Sequence, residues 1–161
     1  MQVKPTWTHI EEYDVIVEKI LNKYPDRFSH IDPKWIIAYG QDKARDAKKA
    51  KIYQMSGQSE PESFTNDKKY FIKYHLADWE SLDSAAKNAH VFSALLRIDP
   101  EKPDSGKPLQ NGYKDQDIMV STFGPYWFNN DSLPDLLRDN VQFKDESEFA
   151  RSEEESEAEG D

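Results

Sequence analysis

The chain has 161 residues, no cysteine and a net charge of −10. That length bounds it to one domain with appendages, and the missing cysteine excludes disulfides and thiolate metal sites. Hydrophobic content is low at 37%, but four Trp, eight Tyr and eight Phe supply ring surface for a core, and no apolar run approaches the roughly 18 residues of a membrane span.

Residues 1–10 read as a loose arm with Trp7 as a candidate anchor. Its start, Met1-Gln2-Val3-Lys4-Pro5, lacks the apolar stretch of a signal peptide. Residues 11–24 predict an amphipathic helix. Ile10, Tyr13, Val17, Ile20, Leu21 and Tyr24 form its apolar stripe, Glu11 and Glu12 suit its N-terminal dipole, and Pro25-Asp26 ends it. Asp32-Pro33 is a turn, and Trp35-Ile36-Ile37-Ala38-Tyr39 reads as a strand. Next comes a basic stretch, in which Lys43, Arg45, Lys48, Lys49 and Lys51 face Asp42 and Asp46. It could be a nucleic-acid patch. Five cations among two acids make a modest field, however, so a solvated loop leading into a strand at 50–55 is the expectation.

Residues 56–66 are a loop, and 69–76 a strand in which Tyr70, Ile72 and Tyr74 alternate with Phe71, Lys73 and His75. His75 and Asp78 invite a metal reading, but zinc needs three or four ligands. Residues 85–98 predict a helix, alanine-rich and free of Gly and Pro, with Ala89, Phe92, Leu95 and Leu96 on one face. Residues 99–113 form a long loop, a lid or a connector. A helix is expected at 115–123, with Asp115 as N-cap and Ile118, Met119 and Phe123 inward, and a short last one from Ser132.

The end is acidic. Residues 145–161 hold nine acids and one base, a local balance of −8 that leaves −2 for residues 1–144. Such a segment cannot bury enough apolar surface to offset its ordering entropy, so 144–161 is expected to be a disordered tail. The division is therefore an arm at 1–10, a domain at 11–143 and a tail at 144–161, and the fold class is α+β.

Several pieces match one family as a set. Tyr13 to Tyr24 corresponds to its first helix, and His30-Ile31-Asp32-Pro33 through Tyr39 to an I-D-P-x-x-I-x-Y strand. The strand Tyr70 to Leu76 leads to Trp79 and then Leu82, and Lys114 to Ile118 is followed by Gly124 and Trp127. The chain thus resembles the putative phage metallopeptidases, a zincin-like family whose chemical helix reads H-E-L-x-H-I. The resemblance implies a small sheet with helices packed on one side. Counting without gaps from Trp79, the motif falls on Ser93-Ala94-Leu95-Leu96-Arg97, followed by Ile98. Gln116 stands where the family's third ligand would be. A second register starts from His90 and puts Val91 at the Glu position and Ala94 at the second His.

In such a helix two His at i and i+4 hold zinc, and the Glu is general base for the bound water. Ser93 is a poor ligand when neutral, Ala94 offers no base, and the permanent cation of Arg97 repels a metal. Gln116 could coordinate only weakly through its carbonyl. The expectation is therefore no catalytic residue, no metal and no cofactor, with Ser93, Ala94, Arg97 and Gln116 as degenerate metal-site positions lying close together. Arg97 should find a carboxylate or carbonyl, Asp117 or Asp115 foremost. The function expected is a catalytically silent binding or regulatory module with a protein partner. The alternatives are an acidic inhibitor of a host factor or nucleic-acid-binding protein acting through its tail, and an active zinc peptidase. Nucleic acid and membrane are not expected as partners, and the location expected is the cytoplasm of a bacterial or archaeal host.

Overall fold

The computed structural model describes residues 6–43, 53–58, 67–109, 117–124, 127–129 and 132–143. The expected tail at 144–161, most of the basic stretch, and Asp115 and Gln116 lie outside these residues.

The architecture is α+β, as expected. Its elements are β1 (Trp7–His9), α1 (Glu11–Lys23), α2 (Pro25–Phe28), β2 (Ile36–Gln41), β3 (Tyr53–Gly57), β4 (Tyr70–His75), α3 (Leu76–Ser81), α4 (Ser84–Leu95) and α5 (Asp117–Phe123). Single 3-10 turns sit at Pro33–Trp35 and Trp127–Asn129. The sheet is mixed, in the order β1-β2-β4-β3. Its two central strands are parallel, with Ile36 opposite Tyr70 and Gln41 opposite His75, while both edge strands are antiparallel.

Alternation in β2 and β4 decides which face is inside. Ile36 and Ala38 on β2, and Tyr70, Ile72 and Tyr74 on β4, are buried, while their neighbours are partly or fully exposed. α1 lies on that inner face because its stripe matches it. Tyr13, Ile16, Val17 and Ile20 are buried, and Glu11, Glu12 and Asp14 at one end and Lys23 at the other complement its dipole. Pro25 ends α1 and then serves as the first residue of α2, where its missing N–H costs nothing.

α4 is the central helix. Asp83 caps it, accepting from the Ala86 N–H at 2.8 Å. Asn88 to Leu95 are all buried, so the helix is covered on every side. Its polar members must therefore be satisfied internally, and Asn88 donates to the Asp135 carboxylate at 2.7 Å.

Three expectations are corrected. Residues 7–10 of the expected arm are not loose: Trp7–His9 pairs with β2 and Ile10 is buried. Leu76–Ser81, expected as strand end and connector, forms a helix around buried Trp79, whose indole N–H donates to Glu12 at 3.1 Å. No helix forms from Ser132. The Asp135 side chain accepts the Leu137 and Arg138 N–H groups, and this local turn competes with helical bonding. That segment still belongs to the core: Phe143 stacks on Phe92 at 4.9 Å, and the Leu136 carbonyl accepts from Lys23 and Tyr24.

Candidate functional site

The face of α4 that meets the sheet carries the positions singled out by the motif. Ser93 is fully buried, and its hydroxyl is 2.8 Å from the Tyr53 hydroxyl on β3. Ala94 is buried beside it. One turn earlier is His90, also fully buried. Tyr74 on β4 donates to its Nδ1 at 3.1 Å, and its Nε2–H donates to the Phe128 carbonyl at 3.2 Å. Those two bonds select a single neutral tautomer. Burial lowers the pKa of His90 to about 4, with the Phe128 carbonyl pulling the other way.

Rings close around this pair of contacts. Tyr74 and Trp127 sit at 6.0 and 5.6 Å from the His90 ring, and Tyr53 and Tyr74 are 5.7 Å apart. Trp79 and Tyr13 complete the wall. The Tyr13 hydroxyl is buried without a hydrogen-bond partner among the described residues, and burial holds its pKa well above that of a free phenol.

Arg97 is not on the helix. α4 ends at Leu95, and the Arg97 N–H bonds back to the Ala94 carbonyl at 3.0 Å. The helix expected over 85–98 therefore ends three residues early, and Arg97 follows its last turn. Of the partner types expected for Arg97, the structure supplies a carbonyl. Its Nε donates to Leu109 at 3.1 Å, and the Leu109 N–H returns a bond to the Arg97 carbonyl at 2.8 Å. This two-way clamp closes the segment between them, which leans on the start of β4: Tyr70 donates to Pro103 at 2.7 Å and Lys69 to Asp104 at 3.0 Å. Gly106, at φ 68°, packs against Gly57 and Gln58, and a Cβ at Gly106 would overlap the Gln58 backbone as one at Gly57 would overlap that of Gly106. The proximity of Gln116 to Ser93 and Arg97 falls outside the described residues, as do Asp115 and the side chain of Asp117.

The donor set does not suit zinc in either register. In the first, Ser93 already has the Tyr53 hydroxyl as partner and Arg97 brings a positive charge. In the second, both nitrogens of His90 are engaged, so coordination would break a buried hydrogen bond. Among the described residues no group of three or more His, Asp or Glu is arranged to hold a metal ion. His75, the other histidine considered, donates from Nδ1 to the Lys43 carbonyl at 2.6 Å. Of the basic stretch Lys43 is described and exposed, while Arg45, Lys48, Lys49 and Lys51 are not described. No described helix is long and apolar enough to cross a membrane.

The residues that sequence reasoning missed are the partners, Tyr53, Tyr74 and Phe128. Two of them carried a signal, since a tyrosine on the buried side of a strand needs somewhere to send its hydroxyl. The Phe128 carbonyl carried none.

No curated protein and no solved structure matches the chain. One family model does, described as putative phage metallopeptidase, over residues 5–119. The match takes in the whole sheet, α1 and α4, and leaves out Trp127, Phe128 and Phe143, which seal the same core. By that match over well more than half its length, the chain belongs to the putative phage metallopeptidase family.

Proposed function

We propose that this chain is a catalytically silent member of its family, a fold retained as a binding module after its metal chemistry was lost. The observation that carries the reading is the buried Tyr53–Ser93 contact at 2.8 Å, with helix α4 ending before Arg97. Where a metal helix would present imidazole, glutamate and imidazole, this one offers a bonded hydroxyl, a methyl group and a cation beyond its last turn. Zinc gains its affinity from three or four N, S or O donors, and its water is activated only with an open fourth position and a nearby base. Neither requirement has a candidate among Ser93, Ala94 and Arg97, and a carbonyl from Gln116 would not replace imidazole.

The test is metal content. Protein purified without chelator and then titrated with zinc against a chromophoric chelator should hold no stoichiometric metal. Casein and unstructured peptides should remain uncut with zinc added. One tightly held zinc per chain, or proteolysis abolished by His90→Ala, would sink the reading.

A further inference from the structure

The sheet has two faces, and the described helices pack on one. No described helix lies on the other, and the strand register shows what it displays. Trp7 lies opposite Gln41, His9 opposite Tyr39, Ile37 opposite Phe71, and Tyr39 opposite Lys73. Residues directly opposite share a face. Trp7, Tyr39 and Phe71 therefore stand on three adjacent strands, each offset from the next by two residues, as a diagonal row of rings. Diagonal neighbours in a sheet lie about 7–8 Å apart. Trp7 is 45% exposed, and Tyr39 and Phe71 are partly exposed.

Cations flank the row. Lys73 is exposed beside Tyr39, with no ion pair among the described residues. His75 lies one step along the same strand, and its bond to the Lys43 carbonyl brings the exposed Lys43 to that end. No strand residue on this face is acidic, and residues 1–144 carry only −2 of the chain's −10. Two carboxylates lie at the β1 edge, Asp14 paired with His9 at 2.8 Å and Asp42 accepting from the Thr6 N–H at 2.8 Å.

We propose that this outer sheet face is a binding platform for single-stranded nucleic acid, with Trp7, Tyr39 and Phe71 stacking bases and Lys73 and Lys43 meeting phosphates. A face whose strand residues include Lys73 and no acid fits an anionic partner, and rings at regular steps fit unstacked bases. The proposal goes beyond the silent-module reading and holds whether or not the chain binds metal.

Full-length protein would be titrated against fluorescein-labelled oligothymidylate and oligouridylate of about 16 nucleotides, read by anisotropy at several salt concentrations. Dissociation constants of about 1–100 µM near physiological salt, tighter as salt is lowered, are expected, with weaker binding to duplex. Preference for uridylate would assign RNA and preference for thymidylate DNA, and either supports the platform. Phe71→Leu keeps apolar bulk but removes the ring, and should weaken binding at least about fivefold. Lys73→Gln, at an exposed position that folding does not need, should lower the log–log salt slope by about 0.7. Lys19→Gln, exposed on α1, should change nothing. No anisotropy change at about 100 µM protein, equal affinity for duplex, or a Lys19→Gln effect as large as that of Lys73→Gln would each overturn the proposal.

Discussion

His90 makes stability depend on acid in a calculable way. Folded, it is neutral with a pKa of about 4, whereas unfolded it returns to about 6.5. Above pH 6.5 neither state binds the proton and the residue contributes no pH dependence. As pH falls through 6.5 the unfolded chain gains a proton that the folded chain refuses, so stability declines until about pH 4, where the two states take it up alike. At about 1.4 kcal/mol per pH unit, the full loss is on the order of 3 kcal/mol, most of it present by about pH 4.5. Carboxylates also titrate there, so the measurement is a difference of differences. Urea unfolding at pH 7 and about pH 4.5 would be compared for the wild type and His90→Gln, which keeps a donor and an acceptor but cannot titrate. The wild type should lose about 2 kcal/mol more than the variant over that interval. Equal losses would refute the reasoning. So would an imidazole NMR titration of the native protein with a midpoint near 6.5, which needs no variant.

Tyr53→Phe and Ser93→Ala should each destabilise by about 1 kcal/mol, and their double-mutant cycle should return a coupling of about 0.5–1.5 kcal/mol; additive losses in urea would mean the 2.8 Å contact carries no energy. Tyr13→Phe removes a buried hydroxyl that has no partner among the described residues, so it should raise the unfolding free energy by about 1 kcal/mol, and a fall in the denaturation midpoint would contradict that. Gly106→Ala places a Cβ at positive φ against the Gln58 backbone and should cost at least about 1 kcal/mol in a thermal melt. Arg97→Ala should cost less than about 1 kcal/mol, because its guanidinium contact is exposed; a larger loss would mean the Leu109 clamp supports more of the fold than its geometry implies.

Period and composition by themselves determined a good part of this protein. The 3.6-residue stripe from Ile10 to Tyr24 became α1, and period-two alternation at 70–75 became β4. The residues standing at Ser93, Ala94 and Arg97 were enough to question the zinc chemistry, because ligand identity is a property of the residue. Other features were decided only in three dimensions. β1 is three exposed residues that have no strand periodicity of their own and exist because β2 offers an unpaired edge. Arg97 lies beyond the helix where the chain meets Leu109, whose N–H and carbonyl are backbone groups that look alike in every sequence. Asp135 became a turn because Asn88 and two backbone N–H groups claimed its carboxylate. The ring row on the outer face is the clearest case. Trp7, Tyr39 and Phe71 are far apart in sequence, and only the register between strands, set by which face of each is buried, lines them up.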